Sequence, residues 1–323
     1  MKELNSISVV IPTYQRKQVL INTIDHFLNF HKPAIEILVV DQTPKHQREI
    51  EEHLSSLDNK GIIRWIKLQR PSIPYAMNVG IYEASCPITL FVDDDIIPAP
   101  GLIEAHATAY QESVDIWAVA GQVLQPDEGP ISDSLSHKKN GLYAHLDFRF
   151  CSTSRAWVKS VMAGNLSVRR AKAFEIGGFD ENFIGVAYRF ETEFCRRIWQ
   201  NGGKVLFEPK ASIRHLRVES GGTRRFGNHL CSPSPMHGVG DYYFALRHGI
   251  EIETLKYILR RPLREISTKF HLKHPWWIPV KFFGEMRALL LALKLYKQGP
   301  KLLKLQDRRN QTTDDSSQKP DNQ

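Results

Sequence analysis

Short apolar runs alternate along most of the chain with stretches whose apolar residues recur every three or four positions. The runs are nearly continuous in apolar residues and occupy positions 7–14, 35–41, 62–68, 88–92, 115–124 and 204–209. The stretches between them have helical spacing, as do 170–176 and 188–201; examples are Leu20, Ile24, Phe27, Ile50, Leu54, Met77 and Ile81. Strands without a polar side are buried on both faces, so the pattern predicts an α/β fold, with a mainly parallel sheet and helices on both faces.

The pattern changes after about position 235. Positions 241–249 and 254–261 have helical spacing, and Phe282, Met286, Leu289, Leu293 and Tyr296 share one face of a predicted helix within 276–305. The last residues lack aromatic and aliphatic side chains, which predicts disorder. We therefore expect an α/β domain at 1–232, a helical C-terminal extension at 233–305 and a disordered tail at 306–323. Positions 125–160 are polar and give no clear element.

Composition and charge restrict the class of protein. The 323 residues are 42% apolar and 24% charged, as in an ordinary globular protein, and the net charge of +8 favours anionic partners. The four cysteines form no CxxC pair, which argues against a zinc ribbon and favours reduced thiols in a cytoplasmic protein. The first apolar run is broken by Pro12, unlike a signal peptide, and no run is long enough to span a membrane. No nucleic-acid-binding motif is present, so nucleic acid is not an expected partner.

Three adjacent aspartates, Asp93, Asp94 and Asp95, follow the buried run 88–92. Ligands of an open parallel sheet bind beyond the carboxyl ends of its strands, where these residues are expected. Side chains alternate along an extended segment, so Asp93 and Asp95 point to one side and Asp94 to the other. A divalent cation would relieve their repulsion and could also hold a diphosphate. The alternative is a cap for the following helix, for which a single aspartate would suffice.

Asp41 ends another apolar run at the same predicted edge. An ionised carboxylate only accepts hydrogen bonds, so it would favour the N3–H of uracil or thymine over cytosine, whose N3 is an acceptor. A turn or cap role for this aspartate fits the sequence equally well.

An ordered set of short motifs resembles the family-2 glycosyltransferases over residues 7–216. The motifs are VVIPTYQR, VVDQT, AMNVGI, FVDDDIIP, AGNLSVRR, GGFDE, ETEFCRR and ASIRHL. Each motif is weak alone, but their order and spacing are specific. The resemblance implies a GT-A fold (Rossmann-like), a nucleotide-sugar donor, Mn²⁺ or Mg²⁺, and inversion at the anomeric carbon.

The resemblance also assigns donor and metal roles. Asp93 matches a ribose-facing aspartate, Asp95 a metal ligand, and His215 a histidine that completes the metal shell or touches the diphosphate. Arg224 and Arg225, on a Gly- and Arg-rich loop, could close over the diphosphate. The remaining donor-binding candidates are Pro12, Thr13, Tyr14, Arg16, Asp41, Asn78 and Asp94.

The expected catalytic base is Glu191. Many relatives have Glu-Asp-Thr-Glu where this chain has Phe190, Glu191, Thr192 and Glu193. Aligning the last two residues puts Glu191 in the place of the aspartate that acts as the catalytic base in those relatives. An inverting transfer needs one such base to take the proton of the acceptor hydroxyl. The chain also departs from the family at Met77, where many relatives have arginine. Asp180 and Glu193 are the acceptor-site candidates.

The sequence therefore predicts a metal-dependent inverting glycosyltransferase that uses a UDP- or dTDP-sugar and a saccharide or lipid-linked saccharide acceptor, in surface polysaccharide or glycoconjugate synthesis. The expected location is cytoplasmic. The basic 276–305 segment either contacts the inner face of the membrane peripherally or packs on the catalytic domain with its lysines in solvent. The altered motifs leave a second interpretation, a non-catalytic nucleotide-sugar-binding or scaffold protein. A nucleotidyltransferase is disfavoured because IPTYQRKQ lacks glycine.

Overall fold

The computed structural model describes residues 6–31, 34–132, 141–145 and 149–304. The predicted disordered tail lies outside the described residues. Within them, nine strands form one sheet in the order β3-β2-β1-β4-β8-β6-β9-β5, with β7 paired to β9. Their bounds are β1 Ile7–Thr13, β2 Glu36–Asp41, β3 Arg64–Lys67, β4 Ile88–Val92, β5 Ile96–Pro98, β6 Ile116–Leu124, β7 Ala156–Trp157, β8 Asn165–Arg169 and β9 Lys204–His215.

Most strands run in one direction, as predicted. Strands β1, β2, β3, β4, β6 and β9 are mutually parallel, whereas β5, β7 and β8 run the other way. Strand β8 was not predicted, because NLSVR is too short and mixed in polarity to stand out. It lies between β4 and β6 and pairs antiparallel with both.

Alternate residues of the central strands enter two different cores, which explains why their sequences have no polar side. Val9 and Val39 pack into one core, and Val10 and Val40 pack into the other, on the opposite face of the sheet. Helices cover both faces: α1 Gln18–Leu28, α2 Arg48–Asn59, α3 Ile73–Glu83, α4 Leu102–Ala109, α5 Arg170–Glu175 and α6 Phe190–Gln200.

In the described chain after the sheet, the α-helices are α7 Val239–His248, α8 Ile252–Ile266, α9 Lys269–Lys273 and α10 Ile278–Gln298. Helix α7 lies in the same core as Phe91 of β4, so the extension packs directly on the sheet domain. In the described part of the chain, no helix has the length and apolar character needed to cross a bilayer.

The face that helix α10 buries is not the apolar face that the sequence predicted. Its buried residues are small or ion-paired: Lys281, Gly284, Glu285, Ala288 and Ala292. Gly284 permits close packing, since a Cβ there would come within 2.9 Å of the Ser232 carbonyl oxygen. Of the predicted apolar face, Phe282 and Leu293 remain 42% and 37% exposed. Close backbone contact on the small-residue side leaves Phe282 and Leu293 turned outward, whereas Leu289 and Tyr296 are partly buried against the core.

Candidate functional site

The sheet opens into a cleft of about 290 Å³ at the carboxyl ends of β1 and β4. Many residues singled out from the sequence line it. They are Pro12, Thr13, Tyr14, Arg16, Asp93, Asp94, Asp95, Glu191, His215, Arg224 and Arg225. The cleft therefore lies where ligands of open α/β sheets usually bind.

Two aspartates and one histidine converge on the floor of the cleft. Antiparallel pairing of β5 with β9 sets Ile96 opposite His215, which brings the imidazole beside Asp95. His215 Nε2 lies 3.1 Å from Asp95 Oδ1 and 3.8 Å from Asp93 Oδ2. One ligand atom from each of the three residues lies within 4.8 Å of the others. Two carboxylates with an imidazole form a donor set suited to Mn²⁺ or a similar divalent cation.

Arg16 supplies positive charge to the same cluster. Its guanidinium lies 2.9 Å from Asp94 Oδ1 and 3.3 Å from Asp95 Oδ2, and it also donates to the Ser220 carbonyl at 2.5 Å. Burial raises the pKa of Asp95, but the hydrogen bond from His215 and the charge of Arg16 outweigh it and hold that pKa below its usual value. Burial lowers the pKa of His215, yet the hydrogen bond to Asp95 and the charge of Asp93 raise it overall.

Asp94 is not one of the three converging metal-type ligands; its Oδ1 accepts a hydrogen bond from Arg16 Nε at 2.9 Å. It is buried, and this burial raises its pKa to about 7 even though Arg16 opposes the shift. Its ion pair instead ties the acidic turn to the loop after β1.

Glu191 lies in the first turn of α6 and faces the cleft from another side. Its Oε2 atom is buried and has no hydrogen-bond partner. Burial raises the pKa of Glu191 to about 7, although a backbone hydrogen bond from its own N–H and the charge of Arg189 oppose the shift; the Asp93 carboxylate adds to it. A carboxylate with one unpartnered oxygen and this pKa can take a proton near neutral pH.

The loop after β9 folds over the cleft. The Arg225 guanidinium lies 4.9 Å from the centre of the Tyr14 ring, and Gly222 N donates to the Tyr14 carbonyl at 2.8 Å. Gly221 has a φ of 81°, and a Cβ there would come within 2.7 Å of the Gln15 carbonyl oxygen. This turn therefore requires glycine, and it holds the two arginines of the loop at the cleft.

Asp41 does not face the cleft. It is 1% exposed, and its oxygens accept from Thr43 N at 2.8 Å, Trp65 Nε1 at 2.9 Å and His46 Nε2 at 2.5 Å. These donors outweigh burial and lower the pKa of Asp41. The expected hydrogen bond to a base therefore does not fit this arrangement, because both oxygens are already engaged. The next residue, Gln42, lines the cleft instead.

Asp180 is also a structural residue, contrary to the acceptor role expected for it. It is fully buried; Oδ1 accepts from Asn182 N and Lys301 N, and Oδ2 accepts from the Tyr243 hydroxyl at 2.8 Å. These bonds join the GGFDE turn to α7 and to the chain after α10.

Two other candidates likewise lie away from the cleft. The Asn78 amide pairs with both backbone groups of Phe179, at 2.7 and 2.9 Å. Glu193 is buried in a two-pronged ion pair with Arg197, four residues further along α6. Both side chains are engaged in these internal contacts, so neither is available to bind the sugar donor or the acceptor substrate.

Several cleft residues were not predicted as site residues. Met77 and Phe190, the departures from the family pattern, form apolar walls. Gly164 also lines the cleft; a Cβ there would lie 2.1 Å from Asp93 Oδ2. The glycine of AGNLSVRR was a usable signal, because close backbone approach to a ligand or side chain is a common reason for glycine. Apolar wall positions give no such signal.

Comparison with known proteins agrees with this geometry. The family model described as "Glycosyl transferase family 2" matches residues 8–177. The glucosyl-dolichyl phosphate glucuronosyltransferase of Haloferax volcanii is 23% identical over 221 residues, which is 66% of this chain and 70% of that protein.

Solved structures share the fold at low sequence identity. The Pyrobaculum calidifontis mannosyltransferase PcManGT, in complex with GDP-Man and Mn²⁺, has a TM-score of 0.52 at 15% identity and covers 91% of this chain and 79% of its own. GalNAc-T7 with UDP, GalNAc and Mn²⁺ scores 0.51 at 16% identity and covers 79% of this chain, which spans 54% of that one. TarS of S. aureus scores 0.53 at 13% identity, with coverage of 82% and 44%. These likenesses confirm the predicted GT-A fold.

Proposed function

Because this chain belongs to glycosyl transferase family 2, we propose that it is an inverting glycosyltransferase using a UDP- or dTDP-sugar. One observation carries the proposal: the Asp93, Asp95 and His215 cluster and Glu191, whose Oε2 atom has no hydrogen-bond partner, line the same cleft. A cation-holding group and a base are the two parts that such a transfer requires.

The nucleoside part of the donor is assigned to the β1 side of the cleft. Tyr14 offers an aromatic face for the base, and Gln42 offers an amide beside it. An amide can both donate and accept, so uracil and thymine remain acceptable partners without help from Asp41. Arg224 and Arg225 reach the same space from the loop after β9 and suit the charge of a diphosphate.

Mn²⁺ or Mg²⁺ would be held by Asp93, Asp95 and His215. The metal-ligand roles fit the donor set and the spacing of these atoms. Such an ion would stabilise the negative charge that develops on the departing nucleoside diphosphate. Arg16 contributes fixed positive charge to the same region and limits the repulsion among the three aspartates.

Glu191 is assigned as the base. The acceptor hydroxyl passes its proton to a carboxylate oxygen of Glu191 while the hydroxyl oxygen attacks the anomeric carbon, opposite the leaving diphosphate. One displacement of this kind inverts the configuration of the sugar. The raised pKa of Glu191 suits this step. A base with a pKa near neutral pH is largely ionised before the reaction, yet it binds the proton more strongly than an ordinary carboxylate does.

The proposed acceptor is a hydroxyl of a saccharide or a lipid-linked saccharide, in synthesis of a surface polysaccharide or glycoconjugate. The relative from Haloferax volcanii is named for a glucosyl-dolichyl phosphate, a saccharide on a lipid, which supports the lipid-linked option. The apolar walls formed by Met77 and Phe190 could hold the less polar part of such a molecule. A cytoplasmic location, at the inner face of a membrane, is part of this proposal.

A screen of nucleotide-sugars with Mn²⁺ tests the function. Thermal shift identifies which donor binds, and donor turnover is then measured by release of the nucleoside diphosphate with and without added saccharides. We expect a UDP- or dTDP-sugar to stabilise the protein and to be consumed, with an inverted product by NMR. Binding without any turnover would instead favour the non-catalytic nucleotide-sugar-binding or scaffold protein that the altered base motif first suggested.

A further inference from the structure

Helix α8 turns a row of large apolar side chains toward solvent. Ile252, Leu255, Leu259 and Leu263 recur at spacings of three and four residues and are 73%, 49%, 72% and 59% exposed. They form one continuous stripe along the outer side of the helix, here called the α8 row. A surface helix normally presents its polar side to water, so this helix has a second apolar face that the fold leaves uncovered.

The inner side of α8 is already occupied by the protein. Its buried residues are Thr254, Tyr257, Ile258, Arg261 and Pro262. Arg261 pairs there with Asp241 of α7 and with Glu285 of α10, the latter at 3.0 Å. The α8 row therefore is not needed to hold the helix in place.

Other large apolar side chains are exposed in the segments that follow α8. Leu272 and Trp276 are 76% and 64% exposed, and Phe283 and Leu290 of α10 are 59% and 68% exposed. Tryptophan is common where a protein meets the boundary of lipid and water. The exposed apolar character is thus concentrated in the C-terminal helices.

Basic side chains accompany these apolar residues. Lys256 and Arg260 of α8 are both exposed. They are four residues apart and therefore lie on the same side of the helix, next to the α8 row. Lys269 and Lys273 of α9 are exposed as well, and Lys273 adjoins Leu272. Apolar residues bordered by lysine and arginine are typical of helices that lie in the plane of an anionic membrane surface.

We propose that the α8 row docks on the anionic surface of a lipid bilayer, with its leucines among the acyl chains and Lys256 and Arg260 at the headgroups. A second copy of this chain fits less well, because a two-fold contact through the row would bring the basic residues of both copies together. The centre of membrane contact is then α8, which lies before the 276–305 segment.

The inner side of α8 is linked by ion pairs to the start of α6. Asp241 pairs both with Arg261 on the inner side of α8 and with Arg189, at 3.2 Å. Arg189 precedes the α6 helix that carries Glu191. Ion pairs therefore join the inner side of α8, opposite the docked row, to the start of the helix that carries the proposed base.

Vesicle sedimentation of the full chain tests the proposal. The vesicles are phosphatidylcholine alone or phosphatidylcholine with about one third phosphatidylglycerol, at about 0.1 M salt. We expect binding to the anionic vesicles, a decrease of at least about tenfold in the double variant Leu255→Gln, Leu259→Gln, and a decrease in Lys256→Glu, Arg260→Glu. Val114→Gln is the matched control, because Val114 is 81% exposed and lies in a loop far along the chain from α8.

Two results would overturn the proposal: wild-type protein that stays in the supernatant with anionic vesicles, or a leucine variant that sediments like wild type. A dimer in light scattering that the leucine variant dissociates would assign the row to a second copy instead. Circular dichroism and thermal melts verify that the variants fold, as exposed positions allow. Release of nucleoside diphosphate by the leucine variant in vesicle-free buffer tests the membrane proposal separately from the proposed glycosyl transfer. The leucine variant should keep this activity, because the α8 row is not part of the cleft.

Discussion

Replacing Glu191 with glutamine should stabilise the protein at alkaline pH while abolishing transfer. The pKa of Glu191 is raised from 4.5 to about 7, chiefly by burial. Each pKa unit corresponds to about 1.4 kcal/mol, so the ionised carboxylate lowers the free energy of unfolding by about 3 kcal/mol above the folded-state pKa. Glutamine is never ionised and avoids this cost.

The size of this stability difference depends on pH. Below a pH of about 4.5 the folded and unfolded chains both keep the proton, so the glutamate and glutamine proteins should have similar stability. As pH rises from there to about 7, the unfolded chain releases its proton first, and wild type loses stability relative to Glu191→Gln. Above that range the difference reaches its full value of roughly 3 kcal/mol.

Urea unfolding at about pH 5 and about pH 8 measures this difference. Glu193→Gln is the matched control, because Glu193 is buried two residues away but paired with Arg197; it should lose stability at both pH values. Transfer is measured on the same samples, and its rate in wild type should fall as pH drops below about 7. A pH-independent difference between Glu191→Gln and wild type would refute the raised pKa, and normal transfer by the variant would refute its role as the base.

Two further variants test the loop and the buried charge network. Arg225→Ala should weaken binding of UDP or dTDP by about three- to thirtyfold in calorimetry, because it removes a cation assigned to the diphosphate, held beside Tyr14. Arg48→Ala, on an exposed ion pair of α2, is the control. Equal affinity in both variants would contradict a role of Arg225 in binding the sugar donor. Asp241→Ala should lower the free energy of unfolding by about 3–5 kcal/mol, since buried Arg261 loses one of its ion-pair partners and Arg189 loses Asp241 as well. Asp115→Ala breaks only an exposed pair with Lys204 and should cost less than about 1 kcal/mol; similar losses in both would disprove the importance of the network.

Much of the fold could be predicted because the central strands are apolar on both faces. Val9 and Val10 go to opposite sides of the sheet, and both sides are core, so no polar alternation was needed to detect the strand. Strand β8 was missed because its pairing partners, β4 and β6, are distant in sequence and decide its conformation. The outward face of α10 was missed for a similar reason: the partners of Gly284 and Ala288 determine which side is buried.

The residues of the site were also predicted only in part. Residues held at the ends of strands, such as Asp93 and Asp95, could be assigned to the cleft because the topology of an open sheet fixes that edge. Asp41 ends a strand at the same edge, yet its side chain bonds to His46 and Trp65. Asp180 and Glu193 were misjudged because their partners, Tyr243 and Arg197, satisfy them inside the fold. Sequence shows that a carboxylate is present but not which donors surround it.

Calorimetric titration of UDP or dTDP into the protein, with and without Mn²⁺, tests the role of the acidic cluster most directly. Wild type should bind the nucleotide tightly only when Mn²⁺ is present, and Asp95→Ala should lose this dependence together with at least about tenfold in affinity. Nucleotide binding that is the same with and without the metal, or unchanged in folded Asp95→Ala, would contradict a cation held between Asp93, Asp95 and His215.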